Sequence, residues 1–206
     1  MKTPPTKPMQ RRAFLTALPA LAFSRPALAR PVRRDTFIEA AREQTRHAVT
    51  YDSAYTRIAY PMGDVAANKG VCSDVAIRAY RAIGIDLQQK VHEDMAAHFA
   101  LYPKNWGLKR PDSNIDHRRV PNLEVFFKRF GTSLPTTRQA CDYAPGDLVT
   151  YRLMGNLPHI AIVSDQYALL DRSRPLIIHN IGWGPKQEDS LFIMGAKISG
   201  HFRYGL

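Results

Sequence analysis

Three side chains combine reactive chemistry with a setting able to use it: Cys72, His159 and His179. A cysteine attacks a carbonyl as its thiolate, so a working thiol needs help to lose its proton. Residues 69–88, KGVCSDVAIRAYRAIGIDLQ, put Cys72 at the mouth of an expected helix running from about Ser73 to Ile83 and stopped at Gly84. A helix mouth offers unpaired N–H groups and the positive end of the peptide dipoles, which favour a thiolate. The N–H of Cys72 itself would be a donor to an oxyanion. That setting predicts a thiol that reacts well below pH 8, whereas an ordinary one titrates at about 8.5.

The histidines belong to strand-like runs. In HIAIV, alternation puts His159, Ala161 and Val163 on one face and Ile160 with Ile162 on the other; in LIIHN, Ile177 and His179 share a face. Neighbouring strands would then present the two imidazoles side by side, one as base and one orienting it. The expectation is that this histidine face meets the buried stripe of the Cys72 helix: Val75, Ala76, Ala79, Tyr80 and Ile83. Asp74, Arg78 and Arg81 are expected to face outward.

Around these pieces, DTFIEAAREQTRHAVTYD reads as an amphipathic helix capped by Asp35, and NLEVFFKRFG as a short helix ending at Gly131. After Pro145-Gly146 the pattern becomes extended: DLVTYR, HIAIVSD, PLIIHNIG and KISGHFRYG are strand candidates. Helices followed by strands indicate an α+β domain with an antiparallel sheet. Residues 85–144 carry X-Pro breaks at Pro103, Pro111 and Pro121 and resist assignment.

That stretch holds a polar cluster, DSNIDHRRVPN. Asp116, His117, Arg118 and Arg119 are either a clamp for a substrate carboxylate or a network fixing an irregular loop, and the network is favoured. His92 and His98, six apart, fall on different faces of a helix, so no metal site and no cofactor are expected. His201 reads as structural or exposed, and Cys141 as a bystander unless it pairs with Cys72.

The chain has 206 residues and a formal charge of +11. Five of its 29 Lys and Arg residues precede position 30, where there is no acid, leaving 24 against 18 acids beyond it, a net of +6. With no zinc-finger spacing, RNA-binding motif or Lys/Arg run, nucleic acid is not an expected partner. The first 29 residues read as a removed export signal: Arg11-Arg12, an apolar run from Ala13 to Phe23, and Ala27-Leu28-Ala29 as the cleavage site. Arg-Arg-x-Phe-Leu resembles the twin-arginine type, which predicts a periplasmic protein with no stable membrane insertion after cleavage. Residues 30–34 would be a linker, and 35–206 one domain with an insert at about 85–144.

Five pieces occur in the order found in NlpC/p60-type cell-wall cysteine peptidases, which have a papain-like fold. They are Tyr60-Pro61-Met62-Gly63, Cys72-Ser73, Gly146 to Tyr151, His159 to Val163, and Ile178-His179. GVCSDVAIRAYRAIGIDLQ, DSNIDHRRVPNL and GHFRY are similar more closely to domain-of-unknown-function family 1287, grouped with those peptidases. The resemblance implies Cys72 as nucleophile, His159 as base, His179 as the third group and Tyr60 beside the oxyanion site. Asn180 stays open as the third group, because a papain-type third residue is an asparagine. The family's cysteine usually follows an aspartate, and here it follows Val71. The expectation is an exported cysteine hydrolase cutting an amide bond in a peptide, with peptidoglycan stem peptides as the candidate substrate and the oligomeric state left open. Two rivals are a non-hydrolytic cell-wall peptide-binding module in the same groove and a metalloprotein.

Overall fold

The computed structural model describes Met1 and residues 30–206; the rest of the expected export signal lies outside the described residues. Four α-helices, α1 (Arg30–Glu43), α2 (Cys72–Ala82), α3 (Leu87–Ala97) and α4 (Val120–Phe130), precede most of the strands. The strands are β1 (Thr50–Tyr51), β2 (Lys69–Gly70), β3 (Thr132–Ser133), β4 (Leu148–Leu153), β5 (Leu157–Tyr167), β6 (Pro175–Asn180), β7 (Pro185–Glu188) and β8 (Lys197–Arg203). Six of them form one antiparallel sheet in the order β3-β8-β4-β5-β6-β7, while β1 and β2 make a separate parallel pair. This is the expected α+β domain. Residues 30–34 are not a linker but the first turn of α1, so Asp35 lies inside that helix rather than capping it.

The sheet is covered on both sides. On one face Ile160, Ile162, Ile178, Leu148 and Phe202 pack with the apolar stripes of α1, α2 and α4, including Phe37, Tyr80 and Phe127. On the other, Val149, Tyr151, Ala161, Val163 and Ile177 pack under Tyr143 and Leu191, which belong to the connections flanking the strands. Helix α2 ends as its sequence dictates: Gly84 takes φ +76°, a left-handed conformation in which a side chain would be strained.

Alternation holds, but the faces are exchanged relative to expectation. The Ile160/Ile162/Ile178 face meets the helices, and His159 and His179 project on the other side with Ala161, Val163 and Ile177. The reason is amphipathic matching, since the isoleucines offer the helices more apolar surface than a face interrupted by two imidazoles.

Candidate active site

The thiol is positioned from three directions. Cys72 is the first residue of α2, and Asp74 locks that helix start by accepting the Val71 N–H at 2.7 Å. The same carboxylate takes a bidentate pair from Arg118, both bonds 2.9 Å, with both side chains buried. Asp74 therefore does not face outward; removing either partner of such a pair leaves an uncompensated buried charge at a cost of about 3–5 kcal/mol. The two-residue ladder of β1 with β2 sets Tyr51 opposite Gly70, two residues before the thiol, and brings the Tyr51 hydroxyl beside the Cys72 sulfur. The backbone N–H groups of Ser73 and Ile160 also point at that sulfur.

Ile160 N–H belongs to the peptide joining it to His159. Pairing of β5 with β6 runs from Ile162 opposite Ile178 onward, so this N–H lies where the two strands have parted. The sulfur thus comes from the helix side to the backbone beside His159, whose ring projects on the far side. The contact between thiol and strand runs through this amide rather than through an imidazole hydrogen bond.

The two imidazoles do meet. His159 Nε2 lies 2.8 Å from His179 Nδ1, and His179 Nε2 lies 3.0 Å from Glu188 Oε1 on β7. Carboxylates only accept, so His179 donates from Nε2 to Glu188 and must accept at Nδ1. His159 accordingly donates from Nε2, which leaves its Nδ1 as a lone pair free to take a proton. Asn180 is turned the other way: its Oδ1 accepts the Gly182 N–H, and its Nδ2 is buried without a partner. His179, not Asn180, is therefore the residue that meets the His159 ring.

Burial governs the charge state. It pushes the Cys72 thiol up to about 11, outweighing the Ile160, Ser73 and Tyr51 donors, and the Asp74 charge adds to the rise. Burial pulls His159 down to about 3, with the neighbouring His179 adding to the effect. It lowers His179 as well, against the opposing pull of Glu188. At rest the site is a neutral thiol beside neutral imidazoles, not the acidic thiol that the helix mouth alone predicts. Both cysteines are free, Cys72 buried and Cys141 exposed.

Cys72 opens onto a cleft of about 370 Å³, lined also by Tyr51, Tyr55, Trp106, Arg118, Arg119 and Pro158 among others. Tyr60 is not among the lining residues. It sits half-exposed on the turn before Gly63, edge-on to His92 at 5.3 Å, and Tyr51 takes the place beside the thiol expected for it. The polar cluster divides. Asp116 is buried and accepts the Asp112 N–H at 2.6 Å and Arg118 is tied to Asp74, so these two build the network, while His117 is buried with its Nδ1 unpartnered. Arg119 lines the cleft and, among the described residues, has no carboxylate within salt-bridge distance. His201 is structural, with Asp147 at 2.9 Å and the Pro135 carbonyl at 3.0 Å engaging its two nitrogens. Among the described residues no three His, Cys, Asp or Glu converge to hold a metal ion, and no helix is long and apolar enough to cross a membrane.

Tyr51 and Glu188 were missed by sequence reasoning. The signal for Glu188 was parity, because it stands opposite Ile177 in the ladder and so shares the histidine face. Tyr51 sits in a two-residue strand with no periodicity to read.

A family model described as "Domain of unknown function (DUF1287)" matches residues 38–204. The chain is 52% identical over 166 residues to the uncharacterized protein YijF of Escherichia coli (strain K12), covering 81% of this chain and 79% of that protein. No solved structure matches.

Proposed function

Because the chain belongs to the DUF1287 family, its chemistry has to be argued from its own side chains, and we propose that it is an exported cysteine hydrolase of papain-like, NlpC/p60-type fold. Its reaction is cleavage of an amide bond, with peptidoglycan stem peptides as substrate and the periplasm as its compartment. The observation that carries this reading is the oriented chain Glu188–His179–His159, which leaves a base lone pair on the residue whose backbone adjoins the Cys72 sulfur.

In the proposed reaction the sulfur attacks the carbonyl carbon while its proton is relayed by a water, around the end of β5 where it has parted from β6, to His159 Nδ1 on the far side of the strand. The developing oxyanion is held by the Cys72 N–H, one of the unpaired groups of the first turn of α2. The C–N bond then breaks as His159 returns the proton to the leaving amine. Water, deprotonated by the same nitrogen, cleaves the thioester and releases the carboxylic acid and the thiol. Because thiol and imidazole both start neutral, proton transfer accompanies attack instead of preceding it.

The deep burial of the thiol supports a second reading, a module that holds a cell-wall peptide in the same cleft without cutting it. Incubating the purified protein with muropeptides separates the two. The hydrolase yields new amine termini that Cys72→Ala fails to produce. Equal cleavage by Cys72→Ala, or binding without cleavage by the wild type, removes the hydrolase reading.

A further inference from the structure

The cleft beside Cys72 is built for a negative charge that no side chain of the wall provides. Its lining residues include two arginines and no acid. Arg118 is already neutralised by Asp74. Arg119 is not: its Nη1 is buried without a hydrogen-bond partner. That nitrogen is sealed from the cleft, so the Nε–H and Nη2–H groups are the donors left to meet a ligand.

Two further features point the same way. The guanidinium carbon of Arg119 lies 4.5 Å over the Trp106 ring, a stack that holds the fork against the cleft wall. Trp106 holds a left-handed backbone, φ +61°, and keeps most of its ring exposed on the cleft wall. Bulky residues seldom adopt that conformation, and it recurs where a ligand site over-determines it. Helix α4, 11 residues long, also begins on this wall, with Val120 and Pro121 lining the cleft next to Arg119. The positive ends of α2 and α4 therefore both open on one cavity.

We infer that Arg119, stacked on Trp106 at the start of α4, is a carboxylate-binding subsite, and that the substrate is a peptide bearing a free carboxylate close to the scissile amide. The mouth of α2 serves the oxyanion formed at the reacting carbonyl, and the mouth of α4 with Arg119 serves a charge the substrate carries throughout. A carboxylate accepts the Nε–H and Nη2–H of Arg119, while the peptide backbone lies along the Trp106 and Tyr55 side of the cleft. This deepens the proposed function and rests on it for the position of the scissile bond, but not for binding itself.

The test uses Cys72→Ala, so that binding is read without turnover. The probes are a stem tetrapeptide with its carboxylates free and the same tetrapeptide with them converted to carboxamides. Binding is followed by calorimetry and by the Trp106 indole N–H resonance. The free acid should bind at least tenfold more tightly and shift the Trp106 signal. Arg119→Gln should erase that preference, and Arg119→Lys, which keeps charge but loses the fork and the stack, should retain part of it. Unchanged indole and backbone spectra away from the cleft show that each variant is folded. Equal binding of the two peptides, no binding of either, or a preference that survives Arg119→Gln overturns the subsite. Wild-type cleavage that ignores the carboxylates would leave the hydrolase standing and remove this inference. Arg119-dependent binding without any cleavage would do the reverse.

Discussion

Glu188 offers the sharpest probe of the site, because it acts on the base through two hydrogen bonds without touching it. Its carboxylate fixes His179 as the Nε2–H tautomer across 3.0 Å, and His179 in turn fixes His159 as the Nε2–H tautomer across 2.8 Å. Glu188→Ala removes the acceptor. His179 is then free to protonate at Nδ1 instead, and His159 must reverse to keep the shared bond, turning an N–H where the base lone pair belongs. A hydrogen bond to a charged group contributes about 1.5–3 kcal/mol, and that much lost bias lowers kcat by about 10- to 150-fold. Glu188→Gln keeps an acceptor oxygen in place, so the tautomer should survive. Only the attraction between carboxylate and developing imidazolium is lost, and it is screened at a side chain 40% exposed, so a loss of about fivefold or less is expected. The readout needs no substrate: long-range nitrogen–proton spectra of histidine-labelled protein distinguish Nδ1–H from Nε2–H rings. The wild type and Glu188→Gln should show His159 protonated at Nε2 only, and Glu188→Ala should show a mixture. A wild-type His159 carrying its proton on Nδ1 would refute the relay and the role given to that nitrogen.

Two other outcomes follow from the burial of the site. With the thiol raised to about 11, alkylation of Cys72 by iodoacetamide in a Cys141→Ser background should climb about tenfold per pH unit from 7 to 10. Tyr51→Phe should slow it several-fold at each pH, and a plateau below pH 8 would contradict the resting neutral thiol. Stability should fall on acidification earlier than carboxylates alone dictate. His117 and His159, each lowered to about 3 by burial, and His179, lowered for the same reason, are neutral when folded but take up protons at about 6.5 when unfolded. The stability His117 and His159 contribute is complete above about pH 6.5 and is lost as pH falls towards 3, at up to about 1.4 kcal/mol per unit for each, and His179 adds to the loss in the same direction. Urea midpoints measured at pH 7, 6 and 5 should decline steadily; equal midpoints would mean that the rings are not held neutral.

Much of the scaffold was legible because its elements obey a single periodicity. Helix α2 has its apolar stripe at helical spacing and its stop at a glycine that adopts positive φ. The four long strand runs alternate, and that alternation correctly paired His159 with His179. It could not say which face the helices cover, since parity is symmetric under exchange of sides and only packing volume decides. Helix α3 escaped notice for another reason. Gln88 and Asp94 occupy buried positions, where Gln88 bonds Gly63 N–H, the Ala59 carbonyl and the Ser113 carbonyl, and Asp94 binds Arg129 and Tyr102. Polar side chains that replace apolar ones in a core erase the pattern by which a helix is recognised. Arg119 and Arg118 adjoin each other in sequence yet differ in use, and no spacing rule foretells that one is matched by Asp74 while the other faces a cleft.

The Asp74 carboxylate ties together parts of the chain far apart in sequence: the amide of Val71 that starts the nucleophile's helix, and the arginine of the cleft wall 44 residues on. Reach and aperture are thereby governed by one hinge pin. Whatever widens the opening, whether an occupant wedged against Arg118 or a substitution behind it, must also tilt the turn that carries the sulfur, so that fit of the guest and aim of the attacking atom cannot be adjusted separately.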